Sequence, residues 1–252
     1  MKKLIVANWK MNKNAREAVF LASDLKKMLE NSKNGVVICP PFTALESVSK
    51  ELIGSSIKLG AQNMHFEEQG AFTGEVSALM LKDLGCEYVI LGHSERREFF
   101  AERDDIINRK MISALRHSLN PILCVGETLE QRKNRMTQQI LESQLKNCLT
   151  NIDKKQMHNV TVAYEPIWAI SRGDPNHKPA TSKDAQEGHI IIRNFLAKIY
   201  DAKISRNTPI LYGGSMKQDN AKELLSMPDI DGGLVGNASL DAKSFAGIVL
   251  SF

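Results

Sequence analysis

The sequence predicts an α/β protein that folds as a single-domain (β/α)₈ barrel, and three observations carry that prediction. Eight short apolar runs recur along the chain, and amphipathic segments lie between them. Most of the runs are rich in Val, Ile and Leu, as expected for parallel strands that are covered on both faces. The chain has 252 residues, close to the ~250 residues that are typical of such a barrel.

The apolar runs define eight predicted strands in chain order. They are LIVA (4–7), VVIC (36–39), KLGAQ (58–62), YVIL (88–91), ILCV (122–125), VTVAY (160–164), PILY (209–212) and GGLV (232–235). The intervening segments carry apolar residues at helical spacing, most clearly over 15–29, 107–115, 136–149 and 195–199. Gly35 is expected to stop the first helix, and Thr43 with Glu46 predicts a capping box ahead of the second.

A doubly wound parallel sheet is the alternative architecture. It usually has fewer strands and often a G-x-G-x-x-G stretch after the first one. Here the first strand is followed by NWKMN, so that fingerprint is absent. Because no linker or shift in composition divides the chain, we expect residues 1–252 to form one catalytic domain.

Composition excludes several classes of function. With 33 basic and 29 acidic residues the net charge is +4, too mild and too scattered for a nucleic-acid binder. No run approaches the ~20 apolar residues of a membrane span, and the first strand is too short for a signal-peptide core. The four cysteines form no C-x-x-C pair, which indicates reduced thiols in a cytoplasmic protein.

Residues directly after the strands are the candidates for chemistry, because barrel enzymes build their sites at that end. Glu165 ends the sixth strand beside the apolar stretch Pro166, Ile167, Trp168, Ala169 and Ile170. Taken alone, a strand-end acid is more often paired with a lysine. Exclusion of water by the apolar stretch would raise the basicity of Glu165, as a general base requires.

Two more polar side chains follow other strands. A lone histidine is usually a hydrogen-bonded core residue, but His93 precedes a predicted helix that starts at Ser94. The positive end of that helix disfavours imidazolium, so a neutral His93 could donate a hydrogen bond to a substrate oxygen. Strand alternation would turn Asn8 and Lys10 to the same side. There the Lys10 ammonium, otherwise an ordinary surface lysine, could hold an anion.

The glycine-rich stretches YGGS and VGNAS follow strands seven and eight. Such glycines are often only turns, but backbone N–H groups at this place in a barrel commonly bind phosphate. The six histidines show no metal-ligand spacing. A metal-free base with an oxygen-polarising histidine suits proton abstraction next to a carbonyl, and a phosphate cup implies a phosphorylated substrate.

Five ordered motifs, NWKMN, LGHSERR, AYEPIWAI, YGGS and LVGNASL, closely resemble those of the triosephosphate isomerase family, and the resemblance spans nearly the whole chain. It implies a cofactor-free and metal-free isomerase of glycolysis and gluconeogenesis. Its substrates would be dihydroxyacetone phosphate and D-glyceraldehyde 3-phosphate, which it would interconvert through an enediol(ate).

The resemblance also implies the role of each residue. Glu165 would move the proton, His93 would polarise the oxygens, Lys10 would balance the substrate's charge and Asn8 would orient it. Glu95 would pair with Lys10, and Ser94 would lie behind the reacting groups. The phosphate would receive backbone N–H groups from four residues: Ser171, Ser215, Gly236 and Asn237.

Pro166 onward resembles the family's hinged lid, which continues through Ser171, Arg172 and Gly173. The lid departs from the family pattern after WAI. Ser171 stands where glycine is usual, and DPNHKP makes the loop about four residues longer. Because Pro175 and Pro179 stiffen this insert, we expect the chemistry to be retained and the lid kinetics to differ. Asn237 also stands where a second glycine is common.

The resemblance further implies a homodimer in which the loop QNMHFEEQGAFTGE projects into the neighbouring subunit, with Thr73 at its tip. Without the resemblance this segment is simply a long surface loop. Two alternatives to the isomerase remain. A barrel aldolase would need a Schiff-base lysine at a strand end, and a non-catalytic barrel with an altered lid would bind phosphate ligands without turnover.

Overall fold

The computed structural model describes residues 2–170 and 179–252 and shows a closed barrel of eight parallel strands. The strands are β1 (Leu4–Asn8), β2 (Gly35–Cys39), β3 (Lys58–Ala61), β4 (Tyr88–Leu91), β5 (Asn120–Val125), β6 (Thr161–Tyr164), β7 (Ile210–Tyr212) and β8 (Gly232–Val235). Each strand pairs with the next, and β8 closes the barrel by pairing with β1. The predicted fold class is therefore confirmed, and the predicted strands agree with these bounds to within two residues.

Eleven α-helices flank the barrel within the described ranges. They are α1 (Ala15–Met28), α2 (Leu45–Glu51), α3 (Ala78–Asp83), α4 (Ser94–Phe99), α5 (Asp104–Arg116), α6 (Leu129–Lys133), α7 (Thr137–Cys148), α8 (Ser182–Ile199), α9 (Ala202–Asn207), α10 (Gln218–Leu225) and α11 (Ala242–Val249). Short 3₁₀ helices cover Phe42–Ala44, Gln156–Asn159, Ile167–Ala169 and Asn237–Leu240. None of the helices in the described part of the chain is long and apolar enough to cross a membrane.

The strands bury side chains on both faces, which explains their continuous apolar character. On β1, Val6 points into the barrel, where it packs in a small cluster with residues of other strands. Its neighbours Ile5 and Ala7 belong to the larger layer between strands and helices. The interior cluster consists of Val6, Val37, Cys39, Ile90, Ile122, Cys124, Ala163, Leu211 and Leu234. This packed interior holds the strand ends in fixed positions around the mouth of the barrel.

The start of α2 differs from the prediction. Residues Phe42–Ala44 form a 3₁₀ turn, and no side chain caps the helix that follows. Thr43 lies inside this turn, so it lacks the extended backbone that an N-cap residue needs. Glu46 pairs instead with Lys50 at 2.6 Å, one helical turn further along. The predicted capping box of Thr43 and Glu46 is therefore wrong.

The first helix also ends earlier than expected. α1 begins with a capping box in which Asn14 and Glu17 exchange hydrogen bonds, and it ends at Met28 with Leu29 as its C-cap. Gly35, expected to stop this helix, is the first residue of β2. Since Gly35 N–H donates to the Lys3 carbonyl at 2.8 Å, the barrel's strand pairing decides its conformation.

His189 is a buried titratable group that should make stability depend on pH. It lies in α8, wholly buried, with its ring edge-on to Tyr164 and tilted against Tyr212. Burial lowers its pKa to about 4, whereas a histidine in the unfolded chain titrates near 6.5. Below pH 6.5 the unfolded chain therefore binds a proton that the folded chain does not. We expect His189 to remove roughly 2 kcal/mol of stability between pH 7 and pH 5.

Urea unfolding of the wild type and of His189→Gln at pH 7 and pH 5 measures this contribution. Between pH 7 and pH 5, the free energy of unfolding of the variant should fall by about 2 kcal/mol less than that of the wild type. His158→Gln is the matched control, because His158 is exposed and should leave the pH dependence unchanged. Equal pH dependence in the wild type and His189→Gln would contradict the expectation.

Candidate active site

A cavity of about 1000 Å³ opens where the strands end. Its wall is built by residues that follow β1, β4, β6, β7 and β8. Many of the residues singled out in the sequence line it: Asn8, Lys10, His93, Glu165, Ile170, Pro179, Gly213, Gly214, Ser215, Gly236 and Asn237. The order of the strands around the barrel thus brings together side chains that are up to 229 positions apart in the chain, counted from Asn8 to Asn237.

Glu165 lies at the end of β6 with only 2% of its surface exposed. Its backbone N–H donates to the Val125 carbonyl at 2.8 Å, which fixes the main chain at this point. One carboxylate oxygen accepts a hydrogen bond from the Ser94 N–H at 2.8 Å. The other lies 2.9 Å from Nε2 of His93. The carboxylate is therefore held by the first residue of α4 and by the histidine that precedes it.

These contacts determine the direction of the pKa of Glu165. Burial acts to raise it, but the electrostatic interaction and hydrogen bond with His93, the Ser94 N–H and the nearby Lys10 ammonium outweigh burial and lower the pKa below its ordinary value. The expectation of raised basicity is thus wrong for this arrangement. The carboxylate is buried as expected, but hydrogen-bond donors that sequence does not locate stabilise its charged form.

His93 is the N-cap of α4, as the sequence predicted. Its Nδ1 accepts a hydrogen bond from the Glu95 N–H at 3.3 Å. A ring nitrogen that accepts such a bond carries no proton, so this geometry favours a neutral imidazole with its proton on Nε2. Nε2 is the atom that faces Glu165, and it is therefore the atom that can donate into the cavity.

Lys10 reaches the cavity by a route that the sequence did not predict. The strand ends at Asn8, and Lys10 has a φ of 52°, so strand alternation does not aim its side chain. The Asn8 side-chain oxygen accepts the Lys10 N–H at 3.0 Å and supports this left-handed conformation. The Lys10 ammonium lies 2.5 Å from Glu95, a contact that agrees with the pairing implied by the resemblance.

The glycine-rich rim lies beside this lysine. A methyl group on Gly236 would lie 3.3 Å from Cε of Lys10, so the absence of a side chain lets the ammonium approach the rim. Ser215 also lines the cavity, but its backbone N–H donates to the Ala169 carbonyl at 3.2 Å. In this arrangement the Ser215 N–H is occupied by the lid segment, which the sequence could not reveal.

The start of the predicted lid is well anchored. Ile167–Ala169 forms a 3₁₀ turn after Pro166, and the Ile167 N–H donates to the Glu127 carbonyl at 3.1 Å. The indole N–H of Trp168 donates to the Glu127 carboxylate at 2.9 Å. Ser171, Arg172 and Gly173 lie outside the described residues, as does the insert up to position 178.

Ser94 and Thr73 are among the predicted residues that lie away from the cavity wall. Ser94 is buried and acts through its backbone contact with Glu165. Thr73 lies in an exposed turn of the loop between β3 and α3. That loop is closed at its base, where the His65 N–H donates to the Val76 carbonyl at 2.8 Å.

Sequence reasoning missed several residues that shape the site. Glu127 follows β5, is fully buried and accepts hydrogen bonds from Tyr164 and Trp168. Burial raises the pKa of the Glu127 carboxyl group.

Gly126 is the second residue that sequence reasoning missed. A methyl group on Gly126 would lie 1.7 Å from the Glu165 carbonyl oxygen, so this position admits only glycine. Gly126 and Glu127 directly follow β5, so their position after a strand was a signal in the sequence that could have identified them.

Gly213 leaves the space that the Glu165 side chain uses. An added methyl group would lie 2.8 Å from Cγ of Glu165 and 3.1 Å from the Tyr164 carbonyl oxygen. Gly213→Ala should therefore displace the carboxylate, and a shift of about 1 Å in a reacting group costs about 10²-fold in rate. Steady-state assays test this. Gly35→Ala, at the other end of the barrel, is the control, and equal turnover in both variants would contradict the expectation.

Within residues 2–170 and 179–252, no group of three or more His, Cys, Asp and Glu side chains is placed to hold a metal ion. What the cavity does contain is the Glu165 carboxylate in contact with the His93 imidazole, with the Lys10 ammonium on the same wall. On a (β/α)₈ barrel, these features define an enzyme whose own side chains can move protons and hold an anion.

Comparison with known proteins identifies the family to which this enzyme belongs. The family model described as triosephosphate isomerase matches residues 3–252. Triosephosphate isomerase of Carboxydothermus hydrogenoformans is 51% identical over 249 residues, covering 98% of both chains. That of Chloroflexus aurantiacus is 51% identical over 247 residues, covering 98% of this chain and 97% of its own. That of Alkaliphilus oremlandii is 48% identical over 248 residues, covering 98% of both. The chain belongs to the triosephosphate isomerase family, and it is an isomerase.

Proposed function

We propose that this isomerase interconverts dihydroxyacetone phosphate and D-glyceraldehyde 3-phosphate by metal-free proton transfer. The observation that carries the proposal is the Glu165 carboxylate, 2.9 Å from Nε2 of His93 and in one cavity with the Lys10 ammonium. A base, a neutral hydrogen-bond donor and a cation are the groups that an enediolate intermediate requires.

The reaction begins when Glu165 leaves the Ser94 N–H and takes a proton from the carbon next to the substrate carbonyl. As that C–H bond breaks, its electron pair forms the carbon–carbon double bond of the enediolate, and the negative charge moves to the carbonyl oxygen. His93 donates its Nε2 proton in a hydrogen bond to this oxygen. The hydroxyl proton on the neighbouring oxygen passes to the former carbonyl oxygen by way of Nε2 of His93, so the new carbonyl forms on the carbon that lost its proton. Glu165 returns its proton to the former carbonyl carbon, which completes the isomerisation.

Loss of its partners activates the base. The pKa of Glu165 is held low by His93 and the Ser94 N–H, against the effect of burial. When the carboxylate turns toward substrate these donors are withdrawn while burial remains, so the pKa rises toward a value suited to proton abstraction. Before substrate binds, these contacts thus keep Glu165 in its ionised form.

The phosphate of the substrate binds at the glycine-rich rim. Backbone N–H groups of Ser171, Ser215, Gly236 and Asn237 donate to it, and Lys10 with Asn8 holds the other end of the substrate. Ser215 becomes available when the Ala169 carbonyl, its partner at 3.2 Å, moves away. Movement of the lid segment, from Pro166 through Arg172 and Gly173, therefore exposes a phosphate donor while it excludes water from the enediolate.

Turnover of D-glyceraldehyde 3-phosphate by the purified protein tests the proposal. We expect isomerisation in the presence of EDTA, and incorporation of solvent deuterium into the product when the reaction is run in D₂O, because Glu165 exchanges its proton with solvent. Absence of turnover by the folded protein would contradict the proposal. It would favour the alternative of a phosphate-binding barrel without catalysis, for which nothing in the site argues.

We further propose that residues 1–252 act as one domain and that two copies form a homodimer in the cytoplasm. The loop between β3 and α3 supports the dimer. Arg109 stacks on Phe66 and pairs with Glu67 at 3.1 Å, which ties the loop to α5. The tip remains exposed, and 43% of the surface of Phe72 is open to solvent. The location is supported by the four cysteines, each free and buried.

Light scattering after gel filtration tests the dimer. We expect twice the 28.1 kDa mass of the chain, and we expect Thr73→Arg to shift the protein toward the monomer because a charged side chain would enter the interface. Ala202→Arg, at an exposed position of α9, is the matched control. A monomeric wild type would overturn the homodimer.

A further inference from the structure

We propose that Arg132 is a positioning residue that couples the two ends of the lid, an inference that rests on the lid in the proposed function. Arg132 lies in α6, which is neither part of the lid nor part of the cavity wall. The lid begins at Pro166, and Pro179 precedes the helix that follows the lid; Ile170 and Pro179 both line the cavity. Arg132 contacts the first turn of the lid and the first turn of α8.

On the side where the lid begins, the guanidinium of Arg132 stacks over the Trp168 ring, 4.5 Å from its centre. The same indole donates its N–H to the buried Glu127 carboxylate at 2.9 Å. Arg132 itself lies 3.6 Å from Glu127. The ring is therefore held on its face by a cation and on its edge by an anion, an arrangement that fixes its orientation.

On the side where the lid ends, Arg132 pairs with Asp184 at 2.5 Å. Asp184 is the third residue of α8 and closes its capping box by accepting hydrogen bonds from the N–H and hydroxyl of Thr181. These hydrogen bonds and the charge of Arg132 overcome burial and lower the pKa of Asp184. Arg132 thus holds the residue that fixes where α8 starts.

One guanidinium therefore sets the distance between the two ends of the lid. Arg132 has only 25% of its side chain exposed, and its partner Glu127 has none, so the cluster is poorly screened by solvent. When the Trp168 turn moves, the Ala169 carbonyl releases the Ser215 N–H, as argued above. Because the Arg132 guanidinium contacts both Trp168 and Asp184, the movement of the Trp168 turn depends on how Asp184 is held at the far end of the lid.

The fraction of enediolate intermediate that is lost by phosphate elimination measures the effect of this coupling on the reaction. An enediolate released to water before reprotonation can eliminate its phosphate. The charged oxygen re-forms a carbonyl, the carbon–carbon double bond shifts to the carbon that carried the phosphate as its C–O bond breaks, and inorganic phosphate leaves; the remaining enol takes up a proton on carbon and becomes a dicarbonyl compound. We expect Arg132→Met to release about tenfold more inorganic phosphate per isomer formed, because a loosely held lid excludes water less well. Arg132→Lys keeps the charge but loses the planar contact with Trp168, and we expect it to recover only part of the loss.

Acrylamide quenching reports Trp168 directly. Trp9, the other tryptophan of the chain, has no exposed surface, so quenching in the native protein comes from Trp168. We expect Arg132→Met to raise the quenching constant about twofold, since the guanidinium no longer covers the ring. Lys133→Met, at the next position and exposed, is the matched control and should change neither quenching nor phosphate release.

Asp184→Asn removes the ion pair at the far end while keeping the size of the side chain. If Arg132 couples the ends, Asp184→Asn should also raise quenching of Trp168, although Asp184 does not contact the indole in the contacts described. This variant also serves if Arg132→Met does not fold. Unchanged phosphate release and unchanged quenching in folded variants, with only a lower melting temperature, would overturn the proposal. The wild-type turnover assay tests the isomerase function independently.

Discussion

Replacing Glu165 with Gln is expected to lower kcat for triose phosphate isomerisation by about 10²–10⁴-fold, the usual contribution of a general base. The amide is nearly isosteric with the carboxylate, and its oxygen can still accept the Ser94 N–H that now lies 2.8 Å from Glu165. The fold and KM should therefore change little. Steady-state kinetics with circular dichroism on the same samples separates loss of chemistry from loss of structure.

Two further variants make this result specific. Glu165→Asp keeps the carboxylate but withdraws it by one methylene, so it should recover part of the activity. Glu46→Gln makes the same chemical change at an exposed ion pair on α2 and should have no effect on turnover. If Glu165→Gln retained wild-type kcat, the assignment of Glu165 as the base would be wrong.

Replacing Glu102 with Ala is expected to destabilise the protein by about 3–5 kcal/mol, the cost of leaving buried charge without its partner. Glu102 accepts hydrogen bonds from Arg96 at 2.5 Å and from Lys110 at 2.6 Å. Lys110 also donates to Asn63 at 2.9 Å, and only 4% of its surface is exposed. The cluster joins the end of β3 to α4 and α5, so its loss affects three parts of the barrel.

Urea unfolding at several pH values measures this cost. Burial lowers the pKa of Lys110 even with Glu102 present. Without Glu102 the ammonium loses its proton more readily, so the destabilisation should shrink as the pH rises. Glu46→Ala removes an exposed ion pair and should cost less than about 1 kcal/mol. Equal costs for the two alanine variants would show that the buried network contributes no more than a surface pair.

The sequence could predict the architecture because its signal is local. A strand such as Leu4–Asn8 is buried on both faces, so its side chains must be apolar whatever follows it in the chain. The same logic located the site. Each barrel strand ends at the same rim, so Glu165 and His93 could be expected to meet before any distance was known.

Other expectations failed because they depended on local patterns that tertiary contacts override. Thr43 and Glu46 have the spacing of a capping box, but the chain forms a 3₁₀ turn at Phe42–Ala44 and the box is absent. Lys10 was expected to follow strand alternation, whereas the Asn8 side chain supports a left-handed backbone there. In both cases the residues have the spacing that the pattern requires, but the backbone does not adopt the conformation that the pattern assumes.

The sequence by itself determined the eight-stranded barrel, the family, and which residues meet at the mouth of the cavity. Only the tertiary structure decided their electrostatic state. It lowers the pKa of Glu165 through His93 and Ser94, which lie 72 and 71 positions away, and it occupies the Ser215 N–H with the Ala169 carbonyl. Burial and hydrogen bonding depend on which distant residues the fold brings together, and a pattern of neighbouring residues does not record these contacts.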